Sequence, residues 1–340
     1  MHLGSRRQFL QIAVLSTLGW ALRTRAAAAQ SLELREIKGL LKTASPYGYR
    51  VLIDHEMAAT EFQMGAARVS VSKTDPAQWL KGKSWDEVIS TCDTMVHETM
   101  HGLCTLLAYP RSPETISRRG SIIVRPEVGQ DLLVLSSKTQ TFPSKEMASS
   151  VLPELQKSDR FGVYITPDLS QLATQSYGIY GLLDEFNAYY AGCRVACDLL
   201  THFLRQPAAL GTGPAWVLHL ASVSEMLVSH QEFRGYILSY VAYAELHHSD
   251  LYHEIVGAAD FGKGFRALDA VFATLAKEFY ANLPSRIGNL QRHKVDIALS
   301  GSALSSGNQA RVCAKAKYLA LAKAVSRSPA LKAQADRLLT

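Results

Sequence analysis

Apolar residues recur along most of this chain at helical spacing and alternate in only a few places. From Tyr180 they return every three or four positions to about Leu299, which predicts a run of helices broken at "RQPAALGTGPAW" and near Pro284. Ahead of that run, "YRVLIDH" and "ARVSVSK" read as short strands, the second because Val69 and Val71 alternate with Arg68, Ser70 and Ser72. Ser84 and Glu87 in "SWDE" form a capping box ahead of Val88, Ile89, Cys92, Met95 and Val96, so a helix is expected up to about Tyr109, where Pro110 stops it. A basic, polar loop, "RSPETISRRGS", leads to three more strand candidates, "SIIVRP", "LLVLSS" and "GVYITP". Beyond the helical run, "SGSALSSGN" reads as a linker to a last Ala- and Lys-rich helix from about Gln309. The pattern is α+β: an N-terminal part with a small β-sheet and one well-bounded helix, then a predominantly helical C-terminal half.

Composition narrows the organisation. A chain of 340 residues has room for one large domain or two small ones, and its 47% hydrophobic content suits a globular core. We expect one domain over residues 30–298 with a β-rich insertion at about 111–170, followed by a linker and C-terminal helix over 299–340. The net charge of +6 points only weakly to nucleic acid, because Arg6, Arg7, Arg23 and Arg25 sit in residues 1–29, which hold no acid. Without them the balance is 32 basic to 30 acidic residues, and a nucleic-acid partner is not expected.

Residues 1–29 carry the marks of an export signal. "SRRQFL" resembles the twin-arginine translocation signal, an apolar run from Ile12 to Leu22 follows, and Ala27, Ala28 and Ala29 offer the small residues a signal peptidase needs. The apolar run falls short of the roughly 20 residues that span a bilayer, so cleavage before Gln30 is expected to leave no stable membrane span. The resemblance implies passage through the twin-arginine translocon in a folded state, with a metal insertable before export, and a periplasmic or secreted mature protein. Five cysteines, Cys92, Cys104, Cys193, Cys197 and Cys313, contain no C-x-x-C pair, which argues against a four-cysteine zinc site. An oxidising compartment would allow one or two disulfides. Cys193 and Cys197, one helical turn apart, equally suit the core.

The chemistry concentrates in "VHETMHG". His97 and His101 lie four residues apart, on one face of the expected helix, with Glu98 directly after the first; this spacing holds zinc between two imidazoles and supplies a carboxylate as general base. Catalytic zinc normally takes three protein ligands, so a third must come from elsewhere. Cys104 and Leu107 stand where metzincins carry glycine and histidine, which excludes that class. In "GLLDEFNAYYAG", Glu185 lies among Leu182, Leu183, Phe186 and Tyr190, and a carboxylate on so apolar a helix needs a partner. Asp184 is the alternative ligand and Glu127 a more distant one.

In these two motifs the chain resembles the gluzincins, zinc metallopeptidases whose H-E-x-x-H helix is completed by a glutamate on a later helix. The resemblance implies a zincin-like fold, Zn2+ held by His97, His101 and Glu185, Glu98 as catalytic base, and a peptide or protein substrate. Two departures stand out. The interval from His101 to Glu185 is long, and Tyr189 occupies the place where thermolysin-like members orient a histidine with an aspartate, so the outer ligand sphere must be built differently. An oxyanion donor is expected among Tyr189, Tyr190 and the pair His247 and His248. A zinc amidase acting on cell-wall peptides, or a non-catalytic zinc-binding protein of the same fold, are the alternatives. "HHSDLYHE" offers further histidines that a solvated helix face explains as well.

Overall fold

The computed structural model describes residues 33–339 apart from 65–66, 83–84, 112–113, 115–117 and 119. The export signal and the Ser84 cap therefore lie outside the described residues. Helix α1 covers residues 33–44 and α2 Pro46–Met57; β1 (Glu61–Met64) and β2 (Ala67–Ser70) form an antiparallel hairpin. Helices α3 (Trp85–Ile89) and α4 (Cys92–Ala108) follow, then the antiparallel pair β3 (Ile122–Val124) and β4 (Leu132–Val134). The helical half comprises α5 (Ile179–Phe203), α6 (Gly213–Leu227), α7 (Ser229–His247), α8 (Ser249–Gly257) and α9 (Ala259–Arg292). A three-stranded antiparallel sheet, β5 (Ala298–Ser300), β6 (Ala303–Ser306) and β7 (Gln309–Val312), precedes α10 (Lys315–Arg327) and α11 (Pro329–Leu339). The chain is predominantly helical with small antiparallel sheets, an α+β composition.

Helix α5 is the axis of the core. Its sequence is apolar on nearly every face, as a helix surrounded by others must be. It packs chiefly on α4 and α7, and also on α2, α6 and α9. Phe186 and Tyr190 meet Phe272 of α9, each with ring centroids 5.5 Å apart. Close approach of α4 and α5 depends on Gly192, where a Cβ would stand 3.0 Å from the Asp93 carbonyl oxygen and 3.5 Å from the His97 Cβ. Any side chain there would push α5 off the histidine helix.

Six expectations are corrected. "YRVLIDH" is helical, because Ser45 caps the turn with its hydroxyl accepting from the Gly48 N–H and Pro46 opens α2; Val51, Leu52 and His55 then fall on the buried face with Tyr47. "GVYITP" forms a π-helical turn, Phe161–Ile165, held by Thr174 and Gln175 side chains that donate to the Tyr164 carbonyl. The region 111–170 is accordingly not β-rich among its described residues: two three-residue strands are followed by 3-10, α- and π-helical turns. Pro284 lies inside α9 without ending it. The expected linker is β5–β7, with Gly301 (φ 60°) and Gly307 (φ 53°) in its turns, where left-handed backbone favours glycine. The helix expected as one piece up to Tyr109 is interrupted at Ser90 and Thr91, and α4 ends at Ala108.

Candidate metal centre

One turn of α4 carries both histidines to the face that meets α5. His97 Nε2 and His101 Nε2 stand 3.2 Å apart. Glu185 Oε2, reaching across from α5, lies 3.7 Å from the first and 3.6 Å from the second. That oxygen is buried and accepts no hydrogen bond. Leaving a buried carboxylate oxygen unpaired costs on the order of 1–3 kcal/mol or more, so its position favours a compensating positive charge. The three atoms outline a triangle whose equidistant point lies about 2.0 Å from each, the length of zinc bonds to imidazole nitrogen and carboxylate oxygen. Among the described residues, His97, His101 and Glu185 are the group of ligand atoms gathered closely enough to hold a metal ion.

Asp184 has a different task from the one its sequence position suggested. It is not a member of the triad; its Oδ2 accepts from His101 Nδ1 at 2.7 Å, which presents His101 Nε2 to the triad. Consecutive helix residues point about 100° apart, so Asp184 reaches the outer nitrogen of His101 while Glu185 reaches the inner ones. Burial disfavours charge on His101, but the carboxylates of Asp184 and Glu185 outweigh it and hold its pKa well above the usual imidazole range. The pocket is thus built for positive charge. Glu127 pairs with Arg194 at 3.4 Å rather than joining the triad.

Glu98 follows His97 on α4 and is half-buried. Of the expected oxyanion donors, Tyr189 is at the centre: its ring centroid is 4.6 Å from that of His97, nearly perpendicular to it. Tyr190 turns to Tyr47 and Phe272 instead. His247 packs on Tyr243, and His248 bonds Glu146 at 2.7 Å while stacking on Phe142. Tyr164 was not legible in the sequence; the π-helical turn brings its hydroxyl 3.0 Å from that of Tyr189. Burial first, and then the Glu185 carboxylate, raise the Tyr164 pKa well above its ordinary value, and burial does the same for Tyr189, so both are neutral hydrogen-bond donors at neutral pH.

A cavity of about 550 Å³ opens beside His101 and Asp184, walled by Val69, Thr105, Tyr109 and Tyr177. The β3–β4 hairpin that borders it is fixed to α5 by Asn187, which accepts from the Arg125 N–H at 3.0 Å and donates to the Ile123 carbonyl at 3.2 Å. Arg125 itself is buried between Asp54 (2.7 Å) and Asp131 (2.6 Å). The His55 ring of α2 lies against Gly102 of α4, where a Cβ would come within 3.1 Å of His55 Nε2. All five cysteines are buried free thiols. Among the described residues no helix is long and apolar enough to cross a membrane. No family model, curated protein or solved structure matches the chain.

Proposed function

We propose that the chain is an exported zinc metallopeptidase with a gluzincin-type centre in a zincin-like setting. The observation that carries this reading is the unpaired, buried Glu185 oxygen facing two imidazole nitrogens. His97, His101 and Glu185 would hold the ion, and two imidazoles with one carboxylate suit zinc. Bound zinc supplies Lewis acidity, polarising a carbonyl and acidifying water.

The protein's own groups do the rest. Asp184 fixes the His101 ring. Glu98, adjacent to His97 in the motif, takes a proton from the attacking water and returns it to the leaving amine. Tyr189, whose ring packs on that of His97, and Tyr164, whose hydroxyl meets that of Tyr189, offer neutral hydroxyls. The cavity beside His101 has room for a peptide segment. Export through the twin-arginine translocon, and a periplasmic or secreted site of action, follow from "SRRQFL" and the residues after it. A zinc amidase on cell-wall peptides uses the same centre, and turnover of a cell-wall peptide with none of unstructured polypeptide would select it. Hydrolysis of a peptide library by the zinc-loaded protein, abolished in Glu98→Gln, tests the proposal; zinc uptake with no turnover of any peptide or cell-wall amide would reduce it to zinc binding.

A further inference from the structure

We infer that Tyr189 is a positioning residue that holds the His97 imidazole in place from a socket built by Arg160, Tyr164 and Phe233; the inference rests on the metal-centre reading above. The Tyr189 ring is fixed on several sides. Its centroid is 5.0 Å from that of Phe233, its hydroxyl is 3.0 Å from that of Tyr164, and the Arg160 guanidinium lies over its face at 4.7 Å. His97 meets this immobilised ring at an angle of 77°.

The arrangement behind Tyr189 is expensive for a merely structural element. Arg160 donates to Glu232 Oε2 at 2.6 Å, and the Glu232 side chain is fully buried. Each partner still leaves a buried polar atom without a hydrogen bond, Arg160 Nε and Glu232 Oε1, the latter meeting only the Lys317 ammonium at 3.8 Å. Buried ion pairs with such shortfalls are commonly no more stabilising than apolar residues of the same volume. Packing alone therefore does not account for a guanidinium over Tyr189, whereas anchoring a ring that sets the angle of a ligand does. Tyr164 joins the socket through the π-helical turn, a rare backbone form often kept where a side chain must be aimed. His101 is thus held by a carboxylate on Nδ1, and the His97 ring packs nearly perpendicular to a clamped aromatic ring.

The test compares Tyr189→Leu, Tyr189→Phe and the apolar double variant Arg160→Met with Glu232→Leu. Zinc affinity is measured by competition with a chromophoric chelator, and the unfolding temperature of each metal-free protein is recorded beside it. Tyr189→Leu is expected to weaken zinc binding by about 10- to 100-fold, the usual effect of removing a group that orients a ligand. Tyr189→Phe keeps the ring and should restore parental affinity. The double variant should fall between them while unfolding no earlier than the parent. Parental affinity in Tyr189→Leu, or equal losses in the Leu and Phe variants, would overturn the inference. If the parent takes up no zinc, the metal reading fails by itself, and the inference is decided by the His97 ring resonances of the metal-free protein. These should be sharp in the parent and the Phe variant and exchange-broadened in the Leu variant; equal sharpness in all three refutes positioning.

Discussion

In the proposed metal centre, replacing Asp184 with alanine separates a residue that orients a ligand from one that is a ligand. Asp184 Oδ2 accepts from His101 Nδ1 at 2.7 Å, a charge-assisted bond that fixes both the tautomer and the tilt of the ring. Its removal leaves the three ligand atoms in the chain, but frees His101 to rotate and lowers its basicity. Outer-sphere losses of this kind weaken metal binding by about 10- to 100-fold, or about 1.4–2.7 kcal/mol. Glu185→Ala removes a ligand outright and should lose more, while Glu127→Ala, whose carboxylate is engaged by Arg194, should lose nothing. Zinc dissociation constants of the three variants, measured by chelator competition at pH 7.5 with far-UV circular dichroism as the control for folding, give the order directly. An Asp184→Ala loss equal to or greater than that of Glu185→Ala would refute the assignment of roles.

Three further outcomes are expected. Glu98→Gln should retain zinc and fold while losing at least about 100-fold in kcat, because an amide cannot accept the water's proton; steady-state hydrolysis checks this. Replacing Arg6 and Arg7 together with lysine should leave the precursor in the cytoplasm, visible by fractionation, and mature protein still appearing outside the inner membrane would exclude twin-arginine export. Burial holds the His219 pKa down at about 4, against 6.5 for the free side chain, so between these values the unfolded chain binds the extra proton. The stability this contributes is complete above pH 6.5 and is lost as the pH falls towards 4, by about 3 kcal/mol; urea midpoints of the parent and His219→Leu at pH 4.5 and 7 should show the smaller pH dependence in the variant.

The residues that bear the motif were legible because helix geometry alone sets them on one face: His97 and His101 need only α4 to exist. Glu185 was legible by contrast, a charge amid Leu182, Leu183 and Phe186, and the triad now has ligand atoms close enough for one ion. The bond from Asp184 to His101 Nδ1 is not legible, because a sequence shows that a carboxylate is near but not which nitrogen it reaches. Arg160, Glu232 and Tyr164 were missed since their relation to His97 is purely tertiary, running through α7 and a π-helical turn that no local pattern announces. The strand reading of "YRVLIDH" gave weight to Val51 and Ile53 over the Ser45 cap and Pro46, although cap and proline carried the helix signal. Glycine and serine in "SGSALSSGN" suit a linker and a hairpin alike; its two glycines sit in the turns of β5–β7.

Zinc K-edge X-ray absorption on the mature protein tests the central claim most directly. The account predicts one zinc per chain, with a first shell of two imidazoles and light oxygen donors at about 2.0–2.2 Å, and a loss of the metal in Glu185→Ala under a chelator concentration that leaves the parent loaded. A protein that binds no zinc, or whose zinc shell is unaltered by loss of Glu185, would contradict it.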